Sequence, residues 1–129
     1  MGRNYVEFVN SFEACDIDAS DFGHLDHVGT AYEMLRRYDF LKASVTYADC
    51  INTIATNAGA AKKFNTTITL AFLSIIAERM QQSTGDSFEA FMTENQDLIS
   101  GNVLKKWYTD DRLQSDMARQ MSLMPDVAA

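Results

Sequence analysis

The sequence predicts an all-α protein, a compact bundle of about four main helices with shorter helices at each end. Three observations support this prediction. Apolar residues recur at spacings of three and four in several stretches, as on one face of a helix. The only proline is Pro125, so most of the chain can form uninterrupted helix. No stretch of useful length alternates as a β-strand does. A length of 129 residues indicates one domain, residues 1–129.

The first part of the chain predicts two helices, joined by an acidic connector at residues 16–21. The first helix covers residues 4–14 and has an apolar stripe. The second runs from about 22 to 38, with Asp21 as its N-cap and two arginines in its last turn, where cations suit the helix dipole. The residues expected to face inward from the second helix are Leu25, Val28, Ala31, Tyr32 and Leu35.

A third helix is predicted from about 40 to 58. Asp39 can cap its start, and Gly59 is a natural left-handed terminator. Its expected core face consists of Leu41, Val45, Ala48, Ile51, Ile54 and Ala55. A fourth helix, at about 65–82, is apolar nearly all round, which predicts that it lies at the centre of the fold.

The last part of the chain predicts shorter helices. One begins at Asp86 or Ser87, after Gly85, and extends to about Ser100. Residues 102–124 look like two or three further short helices.

Composition narrows the classes of partner. A net charge of −7 disfavours nucleic acid, because affinity for its phosphates comes largely from cations. No run of about 18 apolar residues suggests a membrane span, and the first residues lack the apolar run of a signal peptide. Cys15 and Cys50 are too few for a disulfide scaffold, so we predict two reduced thiols in a cytoplasmic protein, with Cys50 as a small core residue.

The first candidate site is the segment His24-Leu25-Asp26-His27, which contains both histidines of the chain. Residues three apart adjoin on one helical face, and histidine titrates near neutral pH and binds metals. Three interpretations stay open: a metal site, a metal-free ligand or acid–base role, and structure alone. A transition metal would need a third ligand. The candidates for it are Asp26, Glu33, Asn65 and Glu78.

The second candidate site follows Lys62 and Lys63, at the start of the fourth helix. Asn65 is a strong N-cap candidate, and free amides at a helix start could bind an anion beside the lysines. Thr66 and Thr69 share a helical face, so their hydroxyls could line a polar spot in an apolar interior.

Two features near the C-terminus leave a core role and a binding role open. Trp107 and Tyr108 could line a pocket or close the core. Met117, Met121 and Met124 recur at helical spacing. Flexible thioethers fill gaps in a core, but on a surface they suit an adaptable interface with a partner, such as a second copy in a homodimer.

Three segments taken together resemble a family of small, mostly uncharacterised bacterial helical proteins. They are His24 to Arg37, Gly59 to Phe72, and Leu104 to Asp126. The resemblance covers nearly the whole chain after residue 20. It implies Lys-Tyr-His-x-Thr-x-Thr in relatives where this chain has Lys63 to Thr69, and hence a third histidine near the His24 and His27 pair. Phe64 and Asn65 replace the tyrosine and histidine here, and asparagine is a poor ligand for zinc or iron. The resemblance carries no established activity.

The leading hypothesis is therefore a protein that binds a small molecule, and an accessory enzyme is one form of it. The pocket is expected between the starts of helices 22–38 and 65–82. Its expected ligand-binding residues are His24, His27, Asn65, Thr66 and Thr69. The runner-up is a metal site made of His24, His27 and a carboxylate, and the third hypothesis is an interaction module with a Met-bearing C-terminal segment. No cofactor is needed for folding at this length.

Overall fold

The computed structural model describes residues 3–100 and 102–127, and within them every regular element is helical, so the predicted all-α class is confirmed. The α-helices are α1 (Tyr5–Glu13), α2 (His24–Arg37), α3 (Phe40–Asn57), α4 (Thr66–Gln82), α5 (Phe88–Glu94), α6 (Asp110–Leu113) and α7 (Asp116–Gln120). Short 3₁₀-helices join them: η1 (Ala19–Asp21), η2 (Ala61–Lys63), η3 (Gln96–Ser100) and η4 (Val103–Lys106).

Helix α4 lies in the middle of the fold, as its apolar sequence predicted. It packs against α2, α3, α7 and η4. Leu73 and Ile76 are fully buried on it, and most of its other apolar side chains are half-buried. The described residues form no helix that is both long and apolar enough to cross a membrane.

The predicted ends of α3 and α4 are confirmed. The Asp39 carboxylate accepts a hydrogen bond from the Lys42 N–H, and the Asn65 side-chain amide oxygen (Oδ1) accepts one from the Ile68 N–H. Gly59 has a φ of 73°, the left-handed conformation that favours glycine after a helix. These signals are reliable because each depends only on neighbouring residues.

The start of α2 differs from the prediction. Asp21 lies in η1, and the N-cap is Gly23. The Gly23 N–H donates to the Asp26 carboxylate at 2.9 Å. Asp26 therefore stabilises the helix start from within its first turn, where a negative charge suits the helix dipole.

The predicted core face of α3 is confirmed at Ile54, which is buried, and is wrong by a rotation of the helix at Leu41 and Val45. Leu41 and Val45 are 76% and 62% exposed, and the buried residues of α3 are Ala43, Ser44, Tyr47, Cys50 and Ile54. Apolar residues occur on two faces of α3, and the sequence pattern alone did not show which face packs inward. Leu25 on α2 is also exposed, because it lies in the first turn, beyond the end of the core.

The fifth helix is shorter than predicted. It ends at Glu94, and the chain continues as η3 up to Ser100. The Asn95 side chain donates to the Phe91 carbonyl, and its own oxygen accepts from Arg79. Asparagine commonly ends helices through such bonds to nearby backbone groups.

The prediction of two reduced thiols is wrong for this structure, which joins Cys15 to Cys50 in a disulfide with a Cα–Cα distance of 5.0 Å. Cys15 follows α1 in a left-handed conformation with a φ of 56°. The turn brings its sulfur onto the middle of α3. Disulfides persist mainly in oxidising compartments, so the link removes the thiol argument for a cytoplasmic location.

Candidate functional site

A cavity of about 180 Å³ lies between the starts of α2 and α4, and we call it the α2–α4 cavity. Its polar lining residues are His24, His27, Tyr47 and Thr69. Its apolar lining residues are Ile51, Ile68, Phe72, Leu98, Val103 and Leu104. The structure thus brings three of the five predicted binding residues, His24, His27 and Thr69, to the lining of one cavity, between the helix starts where the sequence placed the pocket.

Two aromatic side chains hold the His27 ring in place. Its Nδ1 atom lies 3.1 Å from the Tyr47 hydroxyl, and the same hydroxyl lies 3.4 Å from the His27 carbonyl oxygen. The Phe22 ring contacts the imidazole edge to face, at 4.3 Å between centroids. Tyr47 is itself almost fully buried on α3, so the imidazole position is fixed by the core.

Burial keeps the His27 imidazole neutral. Loss of water contact lowers the pKa of His27 to about 4, with a smaller lowering from His24 and a small opposing effect of Asp26. Burial also raises the pKa of the Tyr47 phenol. At neutral pH both groups are therefore uncharged hydrogen-bonding partners.

The second ring nitrogen of His27, Nε2, is available to a ligand. It has no hydrogen-bond partner among the residues that the structure describes. Among the same residues, the fully buried side-chain nitrogen and oxygen atoms that lack a hydrogen-bond partner are only Thr30 Oγ1 and Ser44 Oγ. Nε2 therefore keeps contact with open space, and His27 lines the α2–α4 cavity.

The other polar lining residues play smaller roles. His24 is the first residue of α2 and is exposed, with its ring centroid 6.5 Å from that of His27. The Thr69 hydroxyl donates to the Asn65 carbonyl at 2.7 Å, one turn earlier on α4. Its lone pairs can still accept a hydrogen bond from a molecule in the cavity.

Asn65 and Thr66 do not line the cavity. The Asn65 amide caps α4 and donates to the Leu113 carbonyl at 2.7 Å. The Thr66 hydroxyl donates to the Arg119 carbonyl at 2.9 Å. Both side chains thus bind the C-terminal part of the chain to the start of α4.

A transition metal bound by the two histidines would need a third ligand. The described residues contain no group of three or more His, Cys, Asp or Glu side chains arranged around a possible metal ion. Asp26 binds the Tyr5 hydroxyl and the Gly23 N–H, and Glu33 accepts from Arg36 and Arg37. Metal binding through His24 and His27 stays a prediction, and metal analysis of protein purified without an affinity tag would test it.

Sequence reasoning missed Tyr47, the residue that holds His27. It also missed the wall formed by Leu98, Val103 and Leu104, which η3 and η4 contribute. Tyr47 lies four residues before Ile51, which was expected in the core, and this helical spacing was the available signal. No local pattern indicated the wall.

The C-terminal aromatic and methionine residues divide between core and surface. Tyr108 is buried and donates to the Leu123 carbonyl at 2.9 Å. Trp107 borders a groove of about 570 Å³ beside α4, together with Met124. Met117, Met121 and Met124 are 55%, 47% and 75% exposed.

No family model, no curated protein and no solved structure matches this chain.

Proposed function

We propose that this protein binds a small, mostly apolar molecule with one hydroxyl group in the α2–α4 cavity. The observation that carries the proposal is His27: a neutral imidazole, fixed by Tyr47 through one nitrogen and open at the other, in a cavity with mainly apolar walls. Ligand sites commonly combine an apolar lining with a few fixed polar groups.

The lowered pKa of His27 favours binding over proton transfer. A general base works best when its pKa is near the working pH, and a pKa of about 4 makes His27 a weak base at neutral pH. The imidazole is instead suited to hold a ligand by a hydrogen bond. His27 is therefore poorly suited as the general base of an accessory enzyme.

A hydroxyl group fits either tautomer of His27. If the Tyr47 O–H donates to Nδ1, then Nε2 carries the proton and donates to the ligand. If Nδ1–H donates to Tyr47, whose O–H then donates to the His27 carbonyl, Nε2 accepts from the ligand. A hydroxyl can accept in the first case and donate in the second.

The cavity volume limits the ligand to about one aromatic ring. An apolar protein cavity of about 150 Å³ accommodates benzene, and this cavity measures about 180 Å³. Phenol is therefore a suitable probe. Toluene is its matched control, because it has a similar shape but no hydroxyl.

The test is a titration of the protein with phenol and with toluene, followed through the NMR signals of the His27 ring. We expect phenol to bind with a dissociation constant on the order of 1 mM, at least fivefold more tightly than toluene. His27→Phe should remove the preference while keeping an apolar wall. Equal affinities in the wild-type protein, or no binding of either probe, would overturn the proposal.

Two tryptophan variants on α4 locate the binding site. Phe72→Trp fills the α2–α4 cavity and should abolish phenol binding. Ile75→Trp enlarges a side chain in the groove beside Trp107 and should leave phenol affinity unchanged. The opposite pattern would assign phenol to the groove and contradict the proposal.

A second candidate function is docking of a protein partner through the C-terminal methionines, with a second copy of this chain as the simplest partner. Its support is the exposure of Met117, Met121 and Met124. Sedimentation at increasing concentration should show self-association that Met117→Lys with Met124→Lys abolishes. Leu41→Lys, at an equally exposed apolar residue on α3, is the control. A monomer at all concentrations would count against the homodimer.

A further inference from the structure

A second, polar cleft of about 550 Å³ lies on another side of the molecule, between the start of α1, the middle of α2 and the start of α5. We call it the α1–α5 cleft. Its lining includes charged residues of both signs: Arg3, Glu33, Arg36, Asp86 and Glu89. The cleft shares no lining residue with the α2–α4 cavity.

Tyr32 provides a buried, unused hydrogen-bonding group in this cleft. The residue is only 7% exposed, and its ring packs between Phe88 and Phe91 at centroid distances of 5.4 and 5.1 Å. Its hydroxyl makes no hydrogen bond to a described residue, and it is not among their fully enclosed unpaired atoms. The hydroxyl therefore reaches open space, and Tyr32 lines the α1–α5 cleft.

Charged residues of both signs surround Tyr32 in the cleft. Burial raises the pKa of Tyr32, Arg36 opposes this effect, and Glu33, Asp86 and Glu89 add to it. All four charged residues line the cleft. Tyr32 and charged residues of both signs therefore line one cleft.

Some of these charges are already occupied within the protein. Arg3 pairs with Asp21 and Asp26, and the Glu33 carboxylate accepts from Arg36 Nε and Arg37 Nε. The side chains of Arg3 and Glu33 therefore stabilise the fold and are not counted as ligand-binding groups.

Other charges in the cleft are not occupied by described residues. Neither Asp86 nor Glu89 makes an ion pair with a residue in the described ranges, and the Arg36 guanidinium uses only its Nε there. The cleft thus presents carboxylates from the start of α5, guanidinium donors from α2, and the Tyr32 phenol between them.

We propose that the α1–α5 cleft binds a small zwitterion with an ammonium and a carboxylate group, the chemical class of the free amino acids. The ammonium group donates to Asp86 and Glu89. The carboxylate accepts from the Arg36 terminal nitrogens and from the Tyr32 hydroxyl. A ligand with only a positive charge would be repelled by Arg36. A ligand with only a negative charge would be repelled by the carboxylates of Asp86 and Glu89. The volume also leaves room for a side chain, since it falls within the usual range of ligand sites.

The test uses three probes of nearly the same shape. L-Phenylalanine has both charged groups, phenethylamine has only the ammonium, and 3-phenylpropanoate has only the carboxylate. Each is titrated into the full chain while the backbone amide NMR shifts are followed. We expect L-phenylalanine to bind at least tenfold more tightly than the other two, with shifts at residues 4–6 and 86–89. Absent binding, equal affinity of phenethylamine, or shifts around Tyr47 instead would overturn the proposal.

Variants assign the individual groups. Tyr32→Phe keeps the buried ring and should weaken L-phenylalanine about tenfold, the usual effect of one hydrogen bond to a charged group. Arg36→Gln, at an exposed residue, should remove the preference over phenethylamine. Tyr38→Phe, whose hydroxyl binds Glu13 outside the cleft, is the matched control and should leave the affinity unchanged. An unchanged affinity in both Tyr32→Phe and Arg36→Gln would contradict the proposal.

Discussion

The starts of α2 and α4 carry similar polar residues and use them differently. At the start of α2, His27 lines a cavity, with one ring nitrogen bound to Tyr47 and the other without a partner among the described residues. At the start of α4, the side chains of Asn65, Thr66 and Thr67 all bind backbone groups of the C-terminal chain. A polar cluster in a helical sequence therefore indicates a ligand site only when the rest of the chain does not provide its partners.

The difference follows from where the partners come from. Thr67 is fully buried, and its hydroxyl donates to the Met121 carbonyl and accepts from the Leu123 N–H. These bonds hold a segment without regular structure against α4. The Asn65, Thr66 and Thr67 side chains at the start of α4 thus stabilise the fold, whereas His27 at the start of α2 lines a cavity.

Removing the disulfide should have the largest effect on stability. It tests the support of His27 at the start of α2, because Tyr47, which contacts His27, and Cys50 lie on the same helix, α3. Cys50 lies one turn after Tyr47, so the link to Cys15 anchors the helix that holds His27. We expect Cys15→Ala with Cys50→Ala to lower the free energy of unfolding by about 4 kcal/mol, because the link closes a loop of 35 residues. Urea unfolding measures the loss.

The control for this prediction is chemical reduction. Dithiothreitol should destabilise the wild-type protein and leave the double variant unaffected. Two free thiols in the native protein, found by titration without reductant, would contradict the disulfide.

Asn65→Ala should have the next largest effect and tests the α4 side. The substitution removes a helix cap and a buried hydrogen bond to the Leu113 carbonyl. Together these losses should lower the free energy of unfolding, measured with urea, by about 3 kcal/mol. Ser87→Ala removes only a cap, at the exposed start of α5, and should cost about 1 kcal/mol. Equal losses in the two variants would show that the Leu113 bond contributes nothing.

The pH dependence of stability should identify the neutral His27. The unfolded chain takes up a proton near pH 6.5, whereas the folded protein does so only near pH 4. Acid therefore favours the unfolded state below pH 6.5. At pH 5 the expected cost is about 2 kcal/mol, and the loss is complete below pH 4. His27→Gln should lack this part of the acid sensitivity in urea unfolding at pH 7 and pH 5.

His24→Gln serves as the comparison for that experiment. It removes only the repulsion that His24 exerts on a protonated His27, while the burial that dominates the pKa shift remains. Most of the acid sensitivity should persist. If His24→Gln abolished it and His27→Gln did not, the assignment to His27 would be wrong.

Thr30→Val should have the smallest effect, and it should be stabilising. The Thr30 hydroxyl is fully buried on α2, one turn after His27, and has no hydrogen-bond partner within residues 3–100 and 102–127. Valine has the same shape without the unpaired oxygen, so the free energy of unfolding should rise by about 1 kcal/mol. Thr67→Val on α4 is the matched contrast and should be destabilising, because it leaves two backbone groups unpaired. A loss of stability in Thr30→Val would indicate a bound water at that hydroxyl.

Local signals predicted much of the fold and part of the site. Three signals depended only on neighbouring residues: the cap at Asn65, the terminator at Gly59 and the apolar sequence of α4. In the structure Asn65 caps α4, Gly59 has a positive φ after α3, and α4 packs against α2, α3, α7 and η4. The partner of His27 could not be predicted, because it depends on which face of α3 packs inward. The Cys15–Cys50 link depends likewise on the path of the chain between them.

The distance along the chain between the start of α4 and its partners has a consequence for protein synthesis. Leu113 follows Asn65 by 48 residues, and Leu123 follows Thr67 by 56. At about 5–20 residues per second, a ribosome needs roughly 3–10 s to make that stretch. During this interval α2 and α3 can already pack against the nascent α4, whereas its Asn65, Thr66 and Thr67 side chains still lack their partners from the C-terminal chain.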